Sequence, residues 1–268
     1  MESIDRGTDQ ASLKQCCANL YESDLAKVLL GDSFHPGGLE LTARLGTLLN
    51  LGPQSIVLDV ASGRGTSAIF IAQNFGCHVL GVDYGPRNVE LAREAASAAG
   101  LGHKVRFECG DAESLQLQDA SFDAIICECA FCTFPHKSSV AGDFKRLLRK
   151  GGRVGISDLT RGPSLPDELK GLLSWISCIA DAQPLDSYTD ILRAAGMEIE
   201  HIEQHDAVLG VMARQIGMRL LGAEVMVGLK RLDLPGVGFQ EANRVAKAAL
   251  AAVEKGQLGY SLIISRSS

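Results

Sequence analysis

Aromatic residues make up only 5% of this 268-residue chain, which holds a single tryptophan and no apolar run of membrane-spanning length. A bilayer crossing needs about 20 consecutive apolar residues, so an integral membrane helix is not expected. An excess of positive charge is also missing. The 26 Lys and Arg against 32 Asp and Glu leave a net charge of −6, which disfavours nucleic acid and anionic lipid as partners. Met1–Gln10 is polar and acidic and lacks the apolar centre of a secretion signal, so a cytoplasmic location is expected. The short basic run Lys145–Lys150 suits a helix end better than an extended binding patch. There are no internal repeats. The spacing Cys129-x-x-Cys132 has no second pair at zinc-site distance, so a structural zinc is not expected and the eight cysteines are read as thiols.

What the chain does contain is organised around Ile56–Thr66. Ile56, Val57, Leu58 and Val60 form a short apolar run, as in a strand buried on both faces. Ala61-Ser62-Gly63-Arg64-Gly65 follows as a small-residue turn, and Thr66–Ala72 then has helical spacing. Strand, glycine turn and helix N-terminus together make an anion- and nucleotide-binding entrance. Glycine also serves plain packing in such turns. The later carboxylates add the discriminating detail: Asp83 ends the next apolar run, where a ribose diol needs acceptors, and Cys109-Gly110-Asp111-Ala112-Glu113 follows a third.

Asp59–Gly65, Gly81-Val82-Asp83-Tyr84, Gly110-Asp111-Ala112 and Phe122–Ile126 resemble the S-adenosylmethionine-binding motifs of class I methyltransferases. Ala61 stands where that family has its first glycine. The resemblance implies a doubly wound, Rossmann-like, mostly parallel sheet of seven strands, with helical additions at its N- and C-terminal sides. It implies S-adenosyl-L-methionine as cofactor, held by Gly38, Asp59, Ala61, Ser62, Gly63, Gly65, Asp83, Tyr84, Asp111, Ala112, Glu113 and Glu128.

Along the chain, the pattern predicts one or two short helices within 15–30, a turn-rich break at 31–38, and a helix over 39–51. His35 in that break has no periodicity to interpret it. Further strands are expected at 79–83, 104–108, 121–127, 152–158 and 197–205, with helices at 86–99, 140–148, 166–180 and 187–195. Residues 207–232 read as an inserted helix pair, 239–254 as an alanine-rich helix, and 258–265 as a last strand, which the methyltransferase resemblance implies enters antiparallel between strands five and six. The expected organisation is a helical lid at 1–51, a core at 52–205 and 257–268, and a helical insertion at 206–256.

Two stretches compete to form the acceptor side. In the loop after strand four, Cys129 and Cys132 lie beyond a buried Cys127, with Phe131, Phe134 and His136 as candidate walls. The second stretch is Trp175–Leu185, followed by the helix ending Ala195-Gly196. It is similar to the segment of arsenite methyltransferases that carries their essential cysteine, and Cys178 falls on that cysteine. The vicinal Cys16-Cys17 is similar to that family's N-terminal metalloid-binding thiols. The resemblance therefore implies Cys16, Cys17 and Cys178 as catalytic ligands of trivalent arsenic, with a cellular thiol reductant as partner.

Soft arsenic prefers thiolates, and its lone pair needs no general base. This chain has no cysteine after Cys178, where that family often has one. A three-thiolate site would need both Cys16 and Cys17 beside Cys178, or one of them with Cys129 or Cys132, and a two-cysteine site with an external thiol is the alternative. Plain packing of Cys178 and the cysteine pair stands beside this. So do a carbon or oxygen methyltransferase for a small organic acceptor, using His35, Glu128 or His136 as acid or base, and a non-catalytic cofactor-binding module.

Overall fold

A computed structural model describes Glu22, Leu29, Ile179 and the residues 35–169, 181–232 and 238–268. The expected strands form one sheet. They are β1 (Ile56–Val60), β2 (His78–Asp83), β3 (Val105–Cys109), β4 (Phe122–Glu128), β5 (Leu148–Arg161), β6 (Met197–Gln204) and β7 (Leu258–Ser267), in the order β3-β2-β1-β4-β5-β7-β6. Pairings from β3 through β5 are parallel. β7 runs antiparallel to both of its neighbours, as expected. Val57, Leu58 and Val60 are fully buried, which a parallel strand covered by helices on both faces requires.

The described α-helices are α1 (Gly38–Leu48), α2 (Thr66–Phe75), α3 (Pro86–Ala98), α4 (Lys137–Leu147), α5 (Leu185–Ala194), α6 (Asp206–Gly228) and α7 (Phe239–Glu254). Proline at the first turn of α3 costs nothing, because that N–H has no helical partner. Among the described residues no helix is long and apolar enough to cross a membrane.

Two expectations change. The helix pair anticipated at 207–232 is a single helix, α6, of 23 residues. No proline interrupts it, and its four glycines weaken a helix without breaking it. β5 reaches from Leu148 to Arg161, beyond the expected 152–158, because β7 pairs with it from Arg153 through Arg161.

The edge strand β6 is tied to α1 through one carboxylate. Arg44 on α1 donates Nε–H and Nη2–H to Glu203, at 3.0 Å and 2.5 Å to Oε1. His201 and His205 approach the same group at 2.8 and 3.0 Å. The Arg44 hydrogen bond, helped by the two histidines, holds the Glu203 carboxyl at about 2, down from 4.5. A depressed carboxyl pKa contributes stability above the unfolded value and loses it as pH falls through the folded one. Glu203→Gln is therefore expected to lower Tm at neutral pH, with the gap to wild type closing between about pH 4.5 and about pH 2. Calorimetry at a series of pH values checks this. A gap unchanged down to pH 3 would contradict it.

Candidate active site

The C-terminal ends of β1, β2, β4 and β5 converge where the strand order reverses, the place at which open α/β sheets bind ligands. The turn after β1 is the centre of the site. Ala61, Gly63 and Gly65 have φ of 59°, 54° and 79°, so three residues of five adopt left-handed backbone. Ala61 tolerates this at a cost of about 1–2 kcal/mol. A Cβ at Gly63 would meet no described residue within 4 Å, leaving that turn open for close approach of a ligand. Behind the turn the space is full. A Cβ at Gly81 would lie 2.4 Å from Phe107 Cδ1 and 2.8 Å from Ser62 Oγ. Gly81→Val should cost about 1–3 kcal/mol by overpacking and lower Tm by roughly 2–10 °C. A melting curve within 1 °C of wild type would contradict that packing.

Asp83 is buried and already engaged. Its Oδ2 accepts the Gly63 N–H at 2.7 Å, and its Oδ1 accepts the Gly85 N–H at 2.9 Å and Asn88 Nδ2 at 3.2 Å. Burial raises its pKa, and these three donors oppose the rise. The sequence-expected ribose acceptor thus also braces the glycine turn. Glu22, which sequence reasoning missed, reaches the same end of β2. Its Oε1 accepts the Arg87 N–H at 2.9 Å, and its carbonyl accepts from Arg64 at 3.1 Å.

Asp59 is the most demanding group. It is 2% exposed, and among the described residues its Oδ2 has no hydrogen-bond partner. Burial pushes its pKa well up, and the charges of Glu128 and Asp83 push in the same direction. An orphaned oxygen among crowded carboxylates fits a ligand that brings positive charge or N–H donors. Ser62 Oγ is likewise buried with no partner among the described residues.

The remaining residues expected to bind cofactor surround this centre. Tyr84 is 40% exposed at the end of β2. Asp111 Oδ1 accepts the Glu113 N–H at 2.9 Å, and Ala112 is buried between them. Glu113 Oε1 accepts the His136 N–H at 2.5 Å, which joins the loops after β3 and β4. Gly38 opens α1 with φ 52°.

Glu128, at the end of β4, lies in a buried polar cluster. Thr42 Oγ1–H donates toward both of its oxygens, at 3.1 and 3.2 Å, and Ser157 Oγ–H toward Oε1 at 3.4 Å. His35 Nε2 is 3.6 Å from Glu128 Oε2 and 3.4 Å from both Thr42 Oγ1 and Ser67 Oγ. These partners are distant in sequence, so only the Gly37-Gly38 turn beside His35 was a local signal.

Cys16, Cys17 and Cys178 lie outside the described residues. Of the alternatives, Cys132 belongs to the buried core. It is fully buried in the short 3₁₀ turn Phe131–Thr133, with its N–H bonded to Asp158 at 2.9 Å. Phe131 is core rather than wall, with ring contacts to Phe134, Phe144 and Tyr188. Cys127 is buried as expected, and Cys129 is half-buried, with φ 53°.

The structure joins the two competing stretches. Lys137, buried at the start of α4, donates to the Phe134 carbonyl at 2.9 Å and pairs with Asp181. Tyr188 of α5 packs on Phe131, donates to the Leu159 carbonyl and accepts the Gln183 N–H. The loop after β4 and the chain after Cys178 therefore share one side of the sheet edge.

Comparison with known proteins agrees with this geometry. A methyltransferase-domain family model matches residues 51–205, more than half of the chain. The arsenite methyltransferase of Halobacterium salinarum is 31% identical over 212 residues, which cover 75% of this chain and 54% of that protein. The chain thus spans about half the length of that relative. The 27-O-demethylrifamycin SV methyltransferase of Amycolatopsis mediterranei is 28% identical, with 91% of this chain and 93% of that one covered. Phosphoethanolamine N-methyltransferase 2 of Haemonchus contortus, solved with S-adenosyl-L-methionine, superposes with a TM-score of 0.80 at 17% identity, covering 98% of this chain and 61% of that one. With its glycine turn, the buried Asp83 carboxylate that braces it and its sheet order, the chain belongs to the methyltransferase-domain family of class I enzymes whose cofactor is S-adenosyl-L-methionine.

Proposed function

We propose that the chain transfers a methyl group from S-adenosyl-L-methionine to trivalent arsenic, or a related thiophilic metalloid or organoarsenical, held by Cys16, Cys17 and Cys178. The observation that carries methyl transfer is the orphaned Asp59 Oδ2, set beside an open glycine turn among buried carboxylates. When bound, the cofactor supplies an electrophilic methyl on a positively charged sulfur that leaves as a thioether. The protein's share is to hold charge and exclude water. Asp59 and Glu128 face the cationic end, Asp83 holds the ribose end and fixes the Gly63 and Gly85 N–H groups, and Asp111 to Glu113 take the adenine end.

Thiolate ligation of arsenic is supported by the sequence around Cys178 and by the likeness to the Halobacterium enzyme. The lid 1–51 and the insertion 206–256 cover the acceptor over the core 52–205 and 257–268. The enzyme works in the cytoplasm, where a thiol reductant returns arsenic to the trivalent state after each transfer.

A second acceptor class, a small organic molecule with an O–H or C–H to deprotonate, is favoured by the His35–Glu128 cluster and by the likeness to the rifamycin enzyme. Thiol alkylation separates the two. The exposed Cys109 at the end of β3 is first replaced by serine, and S-adenosylhomocysteine is kept bound during alkylation. Loss of arsenite methylation after iodoacetamide is expected. Organic-acceptor methylation that survives the treatment, with none on arsenite before it, would replace the metalloid assignment.

A further inference from the structure

Helix α6 is apolar on two opposite sides, and the fold covers one of them. Leu209, Gly210, Leu220 and Ala223 are buried on the side that packs against α7 and β7. Val211, Met218, Leu221 and Val225, with Leu229 at the helix end, centre on the other side, and each is between 46% and 65% exposed. A helix with apolar residues all round is ordinarily covered all round. Single apolar residues on a surface need no explanation, but this stripe is continuous along the helix.

Its spacing points to another helix as the cover. Val211, Met218 and Val225 recur every seven residues, with Arg214, Leu221 and Gly228 three positions further on. That is the spacing of a seam along which two helices pair. From Val211 to Leu229 the seam runs about 27 Å. The five exposed side chains offer roughly 500 Å² of apolar surface, so two copies pairing through them bury about 1,000 Å², the size a specific interface needs.

We propose that the outer face of α6 is a self-association surface, on which a second copy of the chain packs its own α6 in antiparallel orientation. Charge sets the direction. In a parallel, in-register pair Arg214 would meet Arg214 of the second copy, with like charges on the seam. In the antiparallel pair the two-fold axis passes between residues 219 and 220. Met218 then lies against Leu221 of the second copy and Val211 against Gly228. Arg214 lies against Val225 and beside Glu224. Arg214 and Glu224 are both exposed, and Glu224 is held by Asn243 of α7 at 3.0 Å. Two-fold symmetry makes this opposite-charge contact twice.

Sedimentation velocity on the full chain over a concentration series tests the pairing. The wild type is expected to pass from one copy to two as its concentration rises through the micromolar range. Leu221→Glu puts a charge at the centre of the seam and should weaken association by at least about a hundredfold. Arg214→Glu and Glu224→Arg each set like charges together and should weaken it about tenfold, while the double variant returns to within about threefold of wild type. Unchanged circular dichroism and S-adenosylhomocysteine binding identify the folded variants, and Met218→Lys replaces Leu221→Glu if the latter fails that check.

A wild type that stays a single copy up to about 100 µM would overturn the proposal. So would dimers that survive Leu221→Glu, which place the contact elsewhere, and single copies that sediment with phosphatidylcholine vesicles, which give the face to lipid. A double reversal that associates no better than the single ones would overturn the antiparallel arrangement.

Discussion

Asp83→Ala is expected to weaken S-adenosylhomocysteine binding by about a hundredfold, equivalent to about 2.7 kcal/mol. The carboxylate takes the Gly63 and Gly85 N–H groups at 2.7 and 2.9 Å and the Asn88 amide at 3.2 Å, all in a buried setting. Hydrogen bonds to a charged group contribute about 1.5–3 kcal/mol each. Removing Asp83 takes away the proposed ribose acceptor and also leaves the glycine turn unbraced, so the two losses act together on one ligand. Asp83→Asn keeps the shape but places a donor against N–H groups, and should fall between wild type and alanine. Titration calorimetry measures both. An alanine variant within threefold of wild type would mean the ribose end is held elsewhere.

Cys178→Ser is expected to reduce arsenite methylation by at least about a hundredfold, because a hydroxyl is neither ionised at neutral pH nor a soft ligand. Cofactor affinity should be unaffected, since every cofactor contact assigned above lies on other residues. Together, those two results separate an acceptor ligand from a structural cysteine. A variant that loses cofactor binding as well points to packing, and one with unchanged turnover removes Cys178 from the reaction.

The sheet was legible because parallel strands buried on both faces leave short apolar runs that stop at a glycine turn or a carboxylate. Ile56–Val60 before its glycine turn and His78–Asp83 are examples. Their order and the antiparallel entry of β7 came from the family resemblance rather than from pattern. Helix α6 differs from the expected helix pair because it runs unbroken through Gly210, Gly217 and Gly222, whose low helix propensity weakens a helix without ending it.

The acceptor side was harder to read. Cys132 and Phe131 turn into the core on a three-residue 3₁₀ segment, too short for any periodicity to show which face is buried. His35 owes its meaning to Thr42, Ser67 and Glu128, which meet it only when α1, α2 and β4 assemble. Lys137 and Asp181 likewise join two stretches that the sequence presents as rivals. Long-range polar contacts of this kind leave no trace in composition or spacing.

Methyl transfer to a thiolate-held metalloid is tested most directly by supplying methyl-labelled S-adenosylmethionine, arsenite and a thiol reductant, then separating the arsenic species. The label is expected in methylated arsenic, with one S-adenosylhomocysteine formed per methyl group transferred. Intact cofactor binding with no labelled arsenic at any arsenite concentration would contradict it.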